Sequence, residues 1–285
     1  MDASTIARLR VTCPDRPGII AAITSFLYSH NVNITALDQH ATKALGGTLY
    51  LRLEFQTPHL DVARPALEQA FGNVLGTPYD MDWEIDYAAD VKRVAVFVSG
   101  SDHCLMELLW RFARGDLPGQ VAMVVSNHPD HRESVERFGI PYHYVPVTKE
   151  TKAEAEARMV ELCADADLIV LARYMQILSP DFVSRFENRI INIHHSFLPA
   201  FMGADPYRQA YERGVKIIGA TAHYVTEDLD CGPIIEQDVI RVGHRHSVEA
   251  LGKVGRDLER QVLARAVTWH LEDRVIVSGN KTIVF

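Results

Sequence analysis

The chain is short of the features that would mark a secreted, membrane or nucleic-acid-binding protein. Its four cysteines, Cys13, Cys104, Cys163 and Cys231, stand far apart and form no C-x-x-C pair. That spacing excludes a disulfide framework and predicts reduced thiols. No uninterrupted apolar run is long enough to span a membrane. The opening residues 1–5 lack the basic and apolar regions of a signal peptide, so a cytoplasmic location is expected. Positive charge is scarce: 29 Lys and Arg against 37 Asp and Glu give a net charge of −8. Nucleic acid is therefore excluded as a main partner, because phosphate binding needs a basic face. An anionic ligand in a locally basic pocket is not excluded. Glycine-rich loops are missing too. Ser99-Gly-Ser-Asp-His-Cys104 holds a single glycine and is neither a dinucleotide fingerprint nor a P-loop, so neither NAD nor ATP is expected. Internal repeats and low-complexity segments are absent. What is present is ordinary globular material: 285 residues, 47% hydrophobic and 23% charged, enough for a sizeable core and two domains.

The first ninety residues carry alternating patterns. Ala7, Leu9 and Val11 alternate with Arg8, Arg10 and Thr12, as in a strand with one buried face. A breaker-rich turn, Cys13-Pro-Asp-Arg-Pro-Gly18, follows, and Ile19, Ala22, Ile23, Phe26 and Leu27 then share one helical face. The spacing predicts strands over 32–41 and 48–55, joined by a turn at Leu45-Gly46-Gly47. A helix over 61–71 follows, with Asp61 as its N-cap and Pro65 in its first turn. A last strand carries Tyr79, Met81, Trp83, Ile85 and Tyr87 on one face. The order β-α-β-β-α-β is the ferredoxin-like arrangement, here over residues 1–87.

After a linker at 88–92 the periodicity changes. Val94-Ala-Val-Phe-Val98 is a continuous apolar run, and further runs at 121–125 and 168–171 alternate with helical patterns. Strands alternating with helices predict a doubly wound, mostly parallel sheet over 93–285, so the chain as a whole is α/β. A long helix is expected over 248–271, and the tail at 275–285 has the composition of added strands.

The chemical centre lies in Arg189-Ile-Ile-Asn-Ile-His-His-Ser-Phe-Leu-Pro-Ala-Phe-Met-Gly203. Ile190, Ile191 and Ile193 make a short β-branched run of the kind buried on both faces of a parallel sheet. Polar residues follow at its carboxyl end, where open α/β sheets bind ligands, and Pro199 and Gly203 favour an irregular loop there. Asn192 and His194 are two apart, so on a strand an amide donor and an imidazole face the same pocket. A structural pair or an adventitious metal site accounts for His194-His195 equally well, but no third ligand stands nearby, and no metal is expected. Asp230 falls in a polar turn between strands at 219–225 and 234–235, a position that turn formation alone explains.

Two resemblances sharpen this reading. Asp15-Arg16-Pro17-Gly18-Ile19, followed by a helix and His30-Asn-Val-Asn-Ile34, resembles the ACT family of regulatory domains. The resemblance implies an amino-acid effector at Asp15, Arg16, Pro17 and Gly18, with glycine and methionine as first candidates, and a homo-oligomer formed through this domain. The set Asn192-x-His194, Ser196-x-Leu198-Pro199, Gly219-Ala-Thr-x-His223 and Asp230-x-Gly232 resembles the formyltransferase family that uses 10-formyltetrahydrofolate. It implies a catalytic trio of Asn192, His194 and Asp230 supported by His223. It also implies a folate pocket along Ala172-Arg-Tyr-Met-Gln-Ile-Leu178, with Arg173, Met175, Gln176, Ile177 and Leu178 around the substrate. Members of that family that formylate a ribonucleotide amine carry a glycine-rich phosphate loop. Here that position has one glycine and a carboxylate hostile to phosphate. Water is therefore the expected acceptor, giving tetrahydrofolate and formate for one-carbon and purine metabolism, with Asp230 as general base and no separate cofactor. Transfer to an amine, or a silent folate or amino-acid sensor, are the alternatives. Met202 and Asp205 stand where such relatives often have basic residues.

Overall fold

The structure, a computed structural model, describes residues 5–44, 46–199 and 206–285. Gly203, Met202, Asp205 and Leu45 of the expected turns and pocket rim lie outside the described residues. The chain divides into two compact units.

The first unit contains β1 (Ile6–Pro14), α1 (Ile19–Ser29), β2 (Asn33–Ala41), β3 (Thr48–Gln56), α2 (Arg64–Phe71) and β4 (Asp82–Tyr87). Its antiparallel sheet has the order β2-β3-β1-β4. Ala7, Leu9 and Val11 of β1 are buried against Ile19, Ile23 and Leu27 of α1 and Leu67 and Phe71 of α2. Each of the larger side chains, Val, Leu, Ile or Phe, contributes ~1.5–3 kcal/mol on burial. Two local expectations move. The second helix begins at Arg64 rather than beside Asp61, with Ala63 as an N-cap that makes no side-chain bond; Asp61 instead takes His30 Nδ1 at 2.9 Å. The last strand begins at Asp82, because Gly72–Gly76 form a π-turn and Asp80 turns the chain through a left-handed φ of 52°.

The second unit contains β5 (Arg93–Val98), α3 (His103–Arg114), β6 (Gln120–Ser126), α4 (Arg132–Glu136), β7 (Tyr142–Tyr144) and α5 (Lys152–Leu162). There follow β8 (Leu168–Leu171), α6 (Pro180–Arg185), β9 (Ile190–His194), α7 (Pro206–Arg213), β10 (Ile217–Tyr224), β11 (Ile234–Arg241) and α8 (Val248–Leu271). The sheet order among the described residues is β11-β10-β9-β8-β5-β6-β7. Strands β7 to β9 in this order run parallel, while β10 is antiparallel to both its neighbours. The chain leaves β5 toward β6 and later returns to the other side as β8, so the crevice between the carboxyl ends of β5 and β8 is a topological switch point. Ile190 and Ile191 are fully buried, as the continuous apolar run requires.

The tail departs from the sequence reading. β12 (Val275–Ser278) and β13 (Lys281–Val284) form a two-stranded ribbon. Residues Asp273–Ile276 and Ile283–Phe285 cluster with the first unit rather than with 93–272. The cause is charge. Asp273 is buried and pairs with Arg8 Nη1 at 3.3 Å and Arg10 Nη2 at 3.9 Å, and its carbonyl accepts from Arg52 Nε at 2.9 Å.

Candidate active site

Strand β9 presents its polar end beside β10 in a register that puts Asn192 opposite His223 and His194 opposite Thr221. Asn192 Nδ2 lies 3.2 Å from His223 Nε2, and His223 Nδ1 lies 2.8 Å from the Tyr224 carbonyl. A carbonyl only accepts, so Nδ1 carries the proton. In the neutral ring Nε2 is then a lone pair that accepts one N–H of Asn192, which fixes the orientation of the amide and leaves its second N–H free. His223 is 2% exposed and has no room to turn.

Asp230 joins this pair from the turn between β10 and β11. Its own φ is +55°, and two residues on, Gly232 packs so closely on the Tyr224 carbonyl that a Cβ there would sit 1.9 Å from the oxygen. The turn thereby carries the carboxylate back over the strand ends. Asp230 Oδ2 is 3.3 Å from His194 Nδ1, and Oδ1 is 3.7 Å from His223 Nε2. The bond to His194, and then the neighbouring His223 ring, hold the Asp230 carboxyl well below the usual carboxylate range, against the opposing effect of burial. On the far side of the His194 ring, Nε2 is buried with no hydrogen-bond partner. A polar atom left so costs about 1–3 kcal/mol unless a ligand supplies a partner, which marks it for the substrate.

These four side chains open on a cavity of about 620 Å³. The loop after β8 lines its other wall, so Arg173, Met175, Gln176, Ile177 and Leu178 face the same space as Asn192, His194, His223 and Asp230. Arg173 turns the loop with a φ of +65°. Met175, Ile177 and Leu229 expose more than half their surface at the lip, an apolar rim suited to a flat aromatic ring.

Sequence reasoning passed over four contributors. Ser99, in the single-glycine loop, is 2% exposed and accepts the Met175 N–H at 2.8 Å while donating to Asn127 Oδ1 at 2.7 Å, so the loop braces the pocket. Its place at the end of β5 was the available signal. Residues 226–229 also line the cavity, as a run beside Asp230 would have suggested. His195 also faces the cavity, with its pKa lowered to about 4 by burial and then by Arg173, so it is a neutral imidazole at physiological pH. Glu259, a 1% exposed carboxylate on α8, stands 3.5 Å from Arg173 Nε. One charge in an amphipathic helix gave no warning of it.

The expected effector residues are not in this pocket. Asp15, Arg16, Pro17 and Gly18 form the turn before α1; Arg16 Nη2 donates to the Pro78 carbonyl at 2.7 Å and lies over the Tyr79 ring at 4.2 Å. Gly18 takes a φ of +93° with open space where a side chain would go. The cavity beside the turn, about 570 Å³, is lined by residues that include Cys13, Asp80 and Asp82 but none of those four.

Comparison with known proteins supplies the family. The family model for formyl transferases matches residues 92–267, and that for the ACT domain matches residues 7–72. A formyltetrahydrofolate deformylase from Bacillus subtilis is 56% identical over 280 residues, covering 98% of this chain and 93% of that protein. The chain belongs to the formyltetrahydrofolate deformylase family. A crystal structure of a deformylase from Pseudomonas syringae superposes with a TM-score of 0.95 at 48% identity, covering 98% of this chain and 94% of that one. By contrast, the glycinamide ribonucleotide transformylase of Symbiobacterium toebii covers only 68% of this chain, at 33% identity and a TM-score of 0.65. Both the catalytic unit and the leading unit are thus deformylase-like. Among the described residues no helix is long and apolar enough to cross a membrane.

Proposed function

We infer that the chain is a hydrolase that converts 10-formyltetrahydrofolate and water to tetrahydrofolate and formate. The observation that carries this reading is full-length deformylase similarity joined to an unpartnered His194 Nε2 beside the Asn192–His223–Asp230 network. Formyl transfer to an amine and a silent sensor are disfavoured, because the full-length relatives are deformylases and the network is complete.

The residue roles follow from the geometry. The apolar lip of Met175 and Ile177, with Leu178 behind it, takes the pteridine and aminobenzoyl rings, while Arg173 and Gln176 supply polar contacts. The formyl oxygen receives the free N–H of Asn192 and the Nε2–H of His194. As the tetrahedral centre forms, charge grows on that oxygen, and each fixed donor contributes ~3–4 kcal/mol to the transition state. Asp230 holds His194 through Nδ1 and orients the attacking water. Its depressed pKa makes it a relay rather than a store for the proton. The water oxygen bonds to the formyl carbon, its proton passes by way of Asp230 to N10, the C–N10 bond breaks, and formic acid ionises on release. His223, with Nδ1 held by the Tyr224 carbonyl, keeps the Asn192 amide in place beside Asp230. No cofactor or metal enters these steps.

The purified chain should release formate from 10-formyltetrahydrofolate in buffer containing a chelator and no amine. Turnover that requires an added amine or metal refutes the reading.

The ACT unit adds control and assembly. A small amino acid, glycine or methionine, binds at the turn 15–18, where the start of α1 favours a carboxylate, and assembly of copies of the chain uses the same unit. The exposed edge strand β2 supports this, since an unpaired edge accepts another strand. Calorimetry of the full chain with each amino acid tests the effector. Gly18→Val, strained by the left-handed φ rather than by a clash, should abolish any response and leave basal hydrolysis intact. Light scattering tests the assembly. The free thiols of Cys13, Cys104, Cys163 and Cys231 favour a reducing, cytoplasmic setting.

A further inference from the structure

Behind the wall of the cavity that carries Arg173 and His195 lies a second polar cluster with no role in the steps above. Its centre is the Glu259 carboxylate. One oxygen accepts Tyr207 Oη–H at 2.5 Å; the other is 2.9 Å from His103 Nε2 and forms an ion pair, without a hydrogen bond, with Arg173 Nε at 3.5 Å. Burial alone would push the Glu259 pKa up, but His103, Arg173 and Tyr207 together bring it below the ordinary value, so the buried group is an anion. The ring of Tyr207 lies in a groove on α8 where Gly255 stands. A Cβ at Gly255 would come within 2.1 Å of Tyr207 Oη and 2.4 Å of Cζ. From there the packing continues inward: Tyr207 meets His195 edge-on at 6.1 Å, and His195 meets His194 edge-on at 5.2 Å. Cys104 Sγ is within reach of the cluster, but burial raises its thiol pKa well above the usual value. With both Glu259 oxygens already engaged, the cluster is a hydrogen-bonded plug rather than a ligand set.

We propose that His103, Tyr207 and Glu259 brace Arg173 and His195 into a rigid wall beside the reacting carbon, and that this wall determines specificity by closing the space an amine acceptor would need. The proposal rests on the hydrolase reading above. Water needs no subsite of its own. A primary amine has to bring its substituent in with the attacking nitrogen, and here the substituent meets side chains that cannot yield. Glu259 cannot move without stranding a buried charge, and Tyr207 cannot turn within its groove. His103, Tyr207 and Glu259 touch no substrate and act as positioning residues. With the wall opened, an amine nitrogen bonds to the formyl carbon, the C–N10 bond breaks, and the amine proton ends on N10, so the products become the formamide and tetrahydrofolate.

The test is a partition ratio. Full-length wild type, Tyr207→Ala, Glu259→Gln and Gly255→Ala are incubated with 10-formyltetrahydrofolate and glycinamide as the probe amine, and formate and N-formylglycinamide are counted. Wild type should give formate alone. The variants should raise the formamide-to-formate ratio by roughly tenfold or more, the scale on which a pocket wall discriminates by size, in proportion to glycinamide concentration. Tyr207→Phe keeps the ring and should restore most of the wild-type ratio. Gly255→Ala expels the Tyr207 ring without altering any polar group, so it stands in if Tyr207→Ala fails to fold. Variants that hydrolyse normally and form no formamide at any glycinamide concentration overturn the proposal, as does a wild type that already formylates glycinamide. A wild type that releases no formate overturns the hydrolase reading instead.

Discussion

Replacing Gly232 by alanine should disable catalysis without touching a catalytic group. A Cβ at Gly232 would lie 1.9 Å from the Tyr224 carbonyl oxygen, whereas real Cβ contacts essentially never fall below 3.0 Å. The two backbones must therefore part by about 1 Å. If the Tyr224 carbonyl moves, it takes its bond to His223 Nδ1 with it, and His223 leaves Asn192. If the turn moves instead, Asp230 is carried away from His194, only two residues along the chain from the new methyl group. Either way the constellation shifts by an amount that costs roughly 100-fold in turnover, or about 2.7 kcal/mol of barrier. Overpacking should also remove ~1–3 kcal/mol of stability. Initial rates of formate release at saturating substrate, together with urea unfolding, measure both. Gly243→Ala is the control, since a Cβ there meets nothing within 4 Å. A Gly232→Ala enzyme within about twofold of wild type in both assays refutes the argument that this close approach positions the site.

Further outcomes follow from the same geometry. Asp230→Asn should lower turnover ~100-fold or more, His194→Ala likewise, and the double variant should be little worse than the worse single, because the groups act as a unit; additive losses in single-turnover kinetics would separate them. Since the Asp230 carboxyl is depressed in the folded chain, its contribution to stability is fully present above the unfolded value near ~3.9. That contribution is lost as pH falls toward the folded value. Urea unfolding should accordingly show the gap between wild type and Asp230→Asn holding down to about pH 5 and closing below about pH 4; a gap that closes by pH 6 contradicts the assignment. Ser99→Ala strands the Met175 N–H, a penalty of about 1–3 kcal/mol, and should raise KM with kcat nearly unchanged; a change in kcat alone would place Ser99 elsewhere in the mechanism.

What the sequence disclosed, and what it hid, divides along physical lines. Ile190, Ile191 and Ile193 announced a buried strand because burial on two faces demands an unbroken apolar run. The two-residue spacing of Asn192 and His194 placed both on one cavity, as strand geometry dictates. The long last helix was legible to its ends, at Val248 and Leu271. Asp230 was different. Its meeting with His194 depends on the antiparallel register of β10, a left-handed residue and the contact at Gly232, none of which leaves a periodic trace. Glu259 was hidden for a related reason: a carboxylate in a helix reads as solvated until its partners, 156, 86 and 52 residues away, are known to converge on it. Tyr79 and Met81 misled in the opposite direction, since their alternation extends a strand that the π-turn and Asp80 in fact delay.

The return of the tail to the first unit has a bearing on how such a protein is cut, fused or acquired by gene shuffling. A fragment ending at residue 91 carries every strand and helix of the ferredoxin-like sheet, yet not its native charge balance. Arg52, 6% exposed, would lose the Asp273 carbonyl, and Arg8 and Arg10 would lose the carboxylate between them. Removing one partner of a buried pair costs about 3–5 kcal/mol, a large part of what a domain of that size has to spare. The leading module is thus discontinuous in the gene. A single crossover near residue 91 would transplant its fold while leaving seven of its own residues, 273–276 and 283–285, behind on the donor.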